Sequence, residues 1–334
     1  MKVGYIAVVG RPNVGKSTLI NALLGEKLMA VSAKPQTTRH RVLGIKNVPG
    51  GQLLFLDTPG IHRPHKALND SMLQMAQSAV EDADVFLFVR EPDEKYEAEE
   101  REIYQRIASR KKPILVVINK ADKVYKPNLL PVMEFCMRHF PAKEVIPLSA
   151  LKLQNLEGLE REIVKYLPEG PALYPEEQLT DQPERFFVTE VVREKIMELT
   201  KKEVPYSVAV VVEEFRERPS SAGPVPGLPP LTASLAQKLA AGDQRGSPVR
   251  GHPRASETIY IRAVIIVEKD SQKGILIGKG GKMIKEIGML ARKDLEERLA
   301  QPLFLELFVR VEADWTKDPN KVREFSYRDD AHST

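Results

Sequence analysis

This 334-residue chain has one cysteine and only 6% aromatic residues. A lone cysteine cannot close an internal disulfide, so a disulfide-stapled framework is excluded and a reducing compartment is expected. Cys136 sits in Met133-Glu134-Phe135-Cys136-Met137, which reads as the apolar side of a helix with the cysteine as a small buried residue. No apolar run approaches the roughly 18 residues that a spanning helix needs. The stretch Val3 to Val9 is too short for a signal-peptide core plus cleavage site and reads as a buried strand. A soluble, cytoplasmic protein is therefore the expectation. There is no internal repeat, and no large excess of one charge: 50 Lys+Arg against 46 Asp+Glu give +4, which names no partner. With 42% apolar and 29% charged residues, wholesale disorder is excluded as well.

The length is about twice that of one ordinary domain, which predicts two, each able to close its own core. From residue 1 to 168, short β-branched runs alternate with longer helical patterns. The runs are Ile6 to Val9, Leu53 to Leu56, Val85 to Val89, Ile114 to Ile118 and Val145 to Leu148. Their apolar residues are nearly continuous, as in strands buried on both faces. Residues 1–168 thus read as an α/β domain with a mostly parallel sheet and helices on both faces. Leu167-Pro168-Glu169-Gly170-Pro171 breaks the pattern, and 169–183 reads as a linker. A second domain over 184–327 opens with a helix (184–202) and a strand (206–215). It resumes with a strand (258–267), a helix (282–299) and a strand (303–311), leaving a tail at 328–334. In between, residues 217–256 hold 7 Pro and 5 Gly in 40 residues, with too little apolar surface to order alone. Arg216, Arg218, Lys238, Arg245, Arg250 and Arg254 make this insertion and its entry basic, which suits a flexible basic arm or a plain loop expansion.

Gly10-Arg11-Pro12-Asn13-Val14-Gly15-Lys16-Ser17, followed by Thr18, fits G-x-x-x-x-G-K-[ST] between a strand and a helix over Ser17 to Leu24. Glycine at both ends lets the backbone wrap so that successive N–H groups point at phosphate oxygens, and the helix adds its positive end. Lys16 would neutralise the β and γ phosphates, and the Ser17 hydroxyl would bind Mg²⁺. That loop alone leaves ATP and GTP, kinase and hydrolase, open. Asp57-Thr58-Pro59-Gly60 puts a carboxylate at a strand's C-terminal end, where such a sheet binds ligands. There Asp57 can hold the magnesium shell, and the Gly60 N–H can meet a γ-phosphate. Asn119-Lys120-Ala121-Asp122 follows the strand Ile114 to Ile118. A carboxylate such as Asp122 accepts two hydrogen bonds from N1–H and the exocyclic amine of guanine, an arrangement adenine lacks. Ser149-Ala150-Leu151 can offer a backbone N–H to the guanine O6. Four such segments, each ending a strand of one sheet, point to a guanine-nucleotide site.

In order and spacing these segments resemble the translation-factor-type GTPases. Gln36-Thr37-Thr38-Arg39-His40-Arg41, together with Asp57-Thr58-Pro59-Gly60-Ile61-His62-Arg63-Pro64, resembles the Era GTPase family. The resemblance implies a P-loop GTPase fold, Mg²⁺-dependent conversion of GTP to GDP and phosphate, and a switch threonine in the magnesium shell, Thr38 in preference to Thr37. Lys16, Thr38 and Gly60 then form the expected catalytic set. Ile61 stands where regulatory GTPases usually carry the glutamine that orients the attacking water; an isoleucine cannot, so a slow intrinsic rate is expected. Asn13 resembles the asparagine with which some related GTPases hold a potassium ion near the phosphates. Its other reading is a tolerant turn residue.

Ile275-Leu276-Ile277-Gly278-Lys279-Gly280-Gly281-Lys282-Met283-Ile284 places a G-x-x-G between an apolar turn and a helix. In KH domains such a loop clamps about four nucleotides, because phosphates can approach a main chain without side chains and the next helix N-terminus. Ile277, Gly278, Lys279, Gly280, Gly281 and Lys282 are the candidate RNA contacts. Ile275 and Ile277 suit either a base-binding groove or the core side of a helix. From Lys269 to Lys293 there are 7 Lys/Arg against 2 Asp/Glu, although residues 171–334 together hold 25 Lys+Arg and 26 Asp+Glu. The element order resembles an α+β type II KH domain. Arg193-Glu194-Lys195, Pro205-Tyr206-Ser207-Val208 and Ile287-Gly288-Met289-Leu290-Ala291-Arg292 resemble Era in particular. The departure is the 217–256 insertion, where the family usually has a short hairpin connection. The resemblance implies a monomer that binds the 3′ end of 16S rRNA and acts as a nucleotide-gated clamp in late assembly of the small (30S) ribosomal subunit. Peripheral contact with anionic membrane at the inner face of the cell membrane is a lesser implication. Two other classes stay open: an RNA-binding assembly module in which hydrolysis is incidental, and a GTPase acting on tRNA modification or at membranes.

Overall fold

The computed structural model describes residues 1–32, 34, 39–57, 67–93, 97–200, 204–219 and 257–325. Gln36, Thr37, Thr38, Thr58, Pro59, Gly60 and Ile61, most of the expected insertion and the 328–334 tail lie outside these residues.

Nearly continuous apolar runs need cover on both faces, and the first sheet has it. Strands β1 (Lys2–Val9), β3 (Gly51–Asp57), β4 (Val85–Arg90), β5 (Ile114–Ile118) and β6 (Glu144–Pro147) are parallel, and β2 (Val42–Val48) lies antiparallel at one edge, in the order β2-β3-β1-β4-β5-β6. The helices are α1 (Lys16–Leu24), α2 (Ala67–Asp82), α3 (Ala98–Ala108), α4 (Leu129–His139) and α5 (Leu156–Tyr166). Alternation along β1 splits its side chains between two cores. Ile6 and Val8 join Leu19, Ile20 and Leu23 of α1 and Leu159 and Ile163 of α5. Ala7 and Val9 join Ile103 and Ile107 of α3 and Val132 and Cys136 of α4. The parallel order gathers the C-terminal ends of five strands at one edge, where the motif loops lie.

Two differences from the sequence expectation concern this sheet. β1 begins at Lys2, one residue before the strand expected over Val3 to Val9, because the parallel ladder from Lys2↔Gly51 to Val8↔Asp57 includes it. β2 is not announced by an apolar run: Gly44, Lys46 and Asn47 are poor strand formers, and the antiparallel ladder with β3 imposes the extended backbone. The expected linker has no helix or strand, yet it straps this edge. The Ile45 N–H donates to the Leu179 carbonyl at 2.8 Å. The buried Gln52 amide donates to the Tyr174 carbonyl at 2.8 Å and accepts from the Leu173 and Tyr174 N–H groups at 2.8 and 3.1 Å. At Ile45 the strap occupies a backbone N–H that an open edge would offer to another chain.

The second sheet is smaller. Its elements are α6 (Glu184–Leu199), β7 (Ala209–Pro219), β8 (Glu257–Val267), α7 (Asp270–Ile277), α8 (Lys282–Leu299), β9 (Leu303–Val311) and α9 (Pro319–Phe325). The order is β7-β8-β9, with β7 antiparallel and β9 parallel to β8. Val192 and Ile196 of α6, Leu276 of α7, and Ile287, Ala291 and Leu295 of α8 cover one face. The other face carries Val264 and Ile266 under Trp315, Val322 and Phe325, and Leu68 and Met72 of α2 join them. A helix of the first unit is thus part of the second unit's core. The structure corrects three further boundaries and settles one element type. The ladder from Glu217↔Ile259 to Pro219↔Glu257 draws the first three residues of the expected insertion into β7. The expected strand at 206–215 starts at Ala209, because Val204–Tyr206 form a 3₁₀ turn. The helix expected to reach 202 ends at Leu199, with Thr200 as its C-cap. The apolar stretch before the G-x-x-G is the helix α7, held to the core by Leu276. α9 has no counterpart in the sequence expectation.

Candidate nucleotide site and RNA loop

The β1–α1 turn closes around its own lysine. Gly15 has φ 94°, and a Cβ there would lie 2.4 Å from Asn119 Nδ2, so only glycine fits. Lys16 is buried, and its Nζ donates to the Gly10 and Arg11 carbonyls, both at 3.0 Å. Burial lowers its ammonium pKa from the ordinary lysine value, against the opposing charges of Asp57 and Glu99. The Ser17 hydroxyl donates to Asp57 Oδ2 at 2.8 Å, and Asp57 is fully buried at the end of β3. One hydroxyl and one carboxylate, both hard oxygens on adjoining elements, suit Mg²⁺ shared with substrate phosphates better than an all-protein cage. Among the described residues no group of three or more His, Cys, Asp or Glu is placed to hold a metal.

Asn119 pins three loops together. Its Nδ2 donates to the Val14 carbonyl at 2.9 Å, and its Oδ1 accepts from the N–H groups of Lys120 (2.8 Å) and Ala150 (3.1 Å). Lys120 Nζ donates to the Asn13 carbonyl at 2.6 Å and pairs with Glu91. Asn13 itself is exposed, with φ 62°. The Ser149 hydroxyl donates to Asp122 Oδ1 at 2.5 Å, which orients an otherwise exposed carboxylate. Pro12, inside the same turn, and Thr18, in the first turn of α1, are partly exposed. Gly10 to Thr18, Asp57, Asn119, Lys120, Asp122, Ser149 and Ala150 therefore converge on one edge of the sheet. The expected positions Thr38, Thr58, Pro59 and Gly60 fall outside the described residues.

Sequence reading missed the charges buried behind this edge. Arg90, at the end of β4, is fully buried, with Nε 3.3 Å from Glu100 Oε1 and its guanidinium over the rings of Phe135 and Phe140. It also donates to Cys136 Sγ at 3.1 Å. Cys136 is buried as expected but takes a polar contact as well, and burial raises its thiol pKa against the opposing effect of Arg90. The Arg11 side chain turns to Glu97 at 2.9 Å, leaving its backbone to line the loop. An arginine closing an apolar strand, and a glutamate in the first turn of the next helix, were the available signals.

The G-x-x-G links α7 to α8. Gly278, Gly280 and Gly281 have φ of 71°, 62° and 76°. At Gly278 a Cβ would also lie 2.8 Å from Met283 Cβ. Lys279, Gly280 and Lys282 are exposed, as are Lys269, Lys285 and Lys293. The core side of α7 belongs to Leu276, which leaves Ile275 about half exposed (48%) and Ile277 partly so.

The segment before β2 is tied to α6. The Val31 N–H donates to Glu194 Oε2 at 3.2 Å, and Lys34 Nζ donates to the Met197 and Thr200 carbonyls at the helix end. Arg39 is buried and donates to the carbonyls of Val208 (2.5 Å), Pro205 and Tyr206 (both 3.0 Å). Burial, with the nearby charge of Arg193 adding, lowers its pKa to about 9. His40 lies 3.5 Å from Glu190, which is paired with Arg193. Burial would raise the Glu190 carboxyl, but Arg193 and His40 outweigh it and hold its pKa at about 2. Nothing in the polar run Gln36 to Arg41 distinguishes Arg39 as a buried residue.

A family model described as 50S ribosome-binding GTPase matches residues 5–120, and one described as KH domain matches residues 253–316. GTPase Era of Geotalea daltonii is 46% identical over 324 residues, covering 97% of each chain. GTPase Era of Aquifex aeolicus is 44% identical over 333 residues, covering 98% of this chain and 99% of its own. Two solved structures each align with a TM-score of 0.83 at 44% identity, over 98% of this chain and 99% of theirs. One is a variant of Aquifex aeolicus Era bound to GDP·AlF₄⁻. The other is Era in complex with MgGDPNP and nucleotides 1506–1542 of 16S ribosomal RNA.

Proposed function

The chain belongs to the Era family of GTPases, and from that premise we propose that it is a nucleotide-gated clamp on the 3′ end of 16S rRNA, acting in late assembly of the small (30S) ribosomal subunit. The observation that carries the reading is one chain holding both parts: a guanine-type pocket pinned by Asn119, and a lysine-flanked G-x-x-G at Gly278. The solved relative bound to MgGDPNP and nucleotides 1506–1542 supports the choice of RNA. Residues 1–168 are proposed as the GTPase domain, 169–183 as the linker and 184–327 as the KH domain.

In this reading the P-loop N–H groups and Lys16 take the phosphates, and Asp122 takes the guanine edge in the orientation that Ser149 sets. Ser17, Asp57 and Thr38 would hold Mg²⁺, which supplies charge neutralisation across the β and γ oxygens. The Gly60 N–H meets the γ-phosphate. Ile61 offers no group to orient water, so intrinsic hydrolysis is slow. Ile277, Gly278, Lys279, Gly280, Gly281 and Lys282 contact the RNA backbone. The proposed state is a cytoplasmic monomer. Among the described residues no helix is long and apolar enough to cross a membrane, so contact with the inner face would be peripheral, made by cations on anionic lipid.

Potassium completes the proposal. The Asn13 carbonyl is held by Lys120 at the crest of the P-loop, leaving its side chain on the exposed side, where it can share a K⁺ ion with the phosphates. Single-turnover GTP hydrolysis should run about tenfold faster in potassium chloride than in sodium chloride, the scale of roughly 1.4 kcal/mol of transition-state stabilisation. Equal rates would remove the ion from the mechanism.

The gate is tested by titrating RNA onto the protein loaded with GDP or with a non-hydrolysable GTP analogue. Affinities should differ by about fivefold or more. Equal affinities would favour an RNA-binding module in which hydrolysis is incidental.

A further inference from the structure

We propose that Arg39, the turn from Val204 to Val208 and Gln272 form the connection through which the nucleotide site and the RNA loop sense each other. This rests on the nucleotide-gated reading above and assigns it a route.

Arg39 directly follows Thr38, the proposed magnesium ligand, so a change of position at residue 38 is passed to Arg39 by one peptide unit. The Arg39 guanidinium is buried on three carbonyls of a single turn, and its Nε has no hydrogen-bond partner among the described residues. Burying a cation on neutral dipoles is expensive unless their geometry is kept. The turn therefore moves with Arg39 or loses it.

The same turn is gripped from the RNA side. Ser207 lies between the Arg39-bound carbonyls, and its hydroxyl accepts from Gln272 Nε2 at 2.8 Å. Gln272 is buried, and its Oε1 accepts from the N–H groups of Glu268 (2.9 Å) and Lys269 (3.2 Å), which fixes the start of α7. α7 has eight residues, a lever about 12 Å long, and it ends at Gly278, the first glycine of the RNA loop. Trp315 Nε1 donates to the Ser207 carbonyl at 3.0 Å, so the chain's only tryptophan reports on the turn. Apart from the peptide link at residue 38, each step is a hydrogen bond or one short helix, the kind of contiguous network that can carry coupling.

The test uses the full-length protein and an RNA of the sequence 1506–1542 of 16S ribosomal RNA. The ratio of RNA affinities between the GDP and GTP-analogue states is measured for wild type, Arg39→Gln, Ser207→Ala and the double variant. Wild type should show about fivefold or more. Each single variant should fall below about twofold, and the double variant should go no further, because both cut one route. Trp315 emission should change when GDP is exchanged for the analogue in wild type, and should not change in Arg39→Gln. Ser207→Ala removes one hydroxyl and decides the matter if Arg39→Gln does not fold. A wild-type ratio of one overturns the gate and the route together. A wild-type ratio that both variants keep, or unchanged Trp315 emission in a wild type that does discriminate, overturns the route alone.

Discussion

Asp122→Asn is expected to lower the affinity for GDP and GTP by roughly a thousandfold and to raise the affinity for the xanthine nucleotides. The carboxylate can accept from both N1–H and the 2-amino group of guanine, since an ionised Asp is acceptor-only. The Ser149 hydroxyl on Oδ1 fixes which way it faces. An asparagine keeps one acceptor and replaces the other with an NH₂ donor. Set against the guanine amine, that pairs donor with donor and strands both; set against the 2-oxo group of xanthine, it makes a bond. The loss is large because a site built to hydrogen-bond a substrate rejects an analogue that leaves its polar groups unpaired. Asp122 is exposed, so the change should leave the unfolding temperature close to that of wild type. Competitive displacement of a fluorescent GDP by GDP, GTP and XDP measures all three affinities. GDP affinity retained within threefold would show that Asp122 does not read the base.

Lys279→Asp/Gly280→Asp should reduce RNA affinity about a hundredfold while GTP hydrolysis in the absence of RNA stays within about twofold. Lys279 and Gly280 are exposed, and a Cβ at Gly280 meets nothing within 4 Å. Its φ of 62° is one that aspartate adopts more readily than most residues. The two changes take the local charge from +1 to −2 where phosphates would approach, and the salt dependence of binding should flatten as cation contacts are lost. Gly278 would be the wrong position to change, because a side chain there collides with Met283 and binding loss could not be separated from damage to the start of α8. Filter binding at several salt concentrations gives both the affinity and the slope. Unaltered affinity would exclude the loop as the RNA contact, whatever the fate of the nucleotide gate.

The parts legible in the sequence share a property: their chemistry depends on spacing within one short segment. A phosphate loop needs its glycines and lysine at set intervals between a strand and a helix, and Gly10 to Ser17 has them. The same holds for Asn119 to Asp122 and for Gly278 to Gly281. Apolar runs such as Val85 to Val89 announced buried strands because both faces of a mostly parallel sheet are covered. β2 was invisible because its extended backbone comes from β3 and not from Gly44, Lys46 and Asn47. α7 shows in the sequence only as a short apolar stretch before the glycines, open to a turn or a helix, because one buried apolar residue, Leu276, holds its eight residues to the core.

Sequence alone thus determined the fold class, the guanine-nucleotide motifs and the glycine loop, since those follow from local spacing and hydrophobic pattern. Which charges lie buried, and what they hold, was decided by the tertiary structure. Arg39, Arg90, Glu190 and Arg193 look like ordinary surface residues in one dimension. Each is stable in the interior because folding brings it a partner: Arg39 the carbonyls at 205–208, Arg90 the Glu100 carboxylate from the next helix, and Glu190 both Arg193 one turn along its own helix and His40 from the first unit. Burying a charge costs free energy until that partner arrives, and no reading of neighbours along the chain can supply one from 166 residues away.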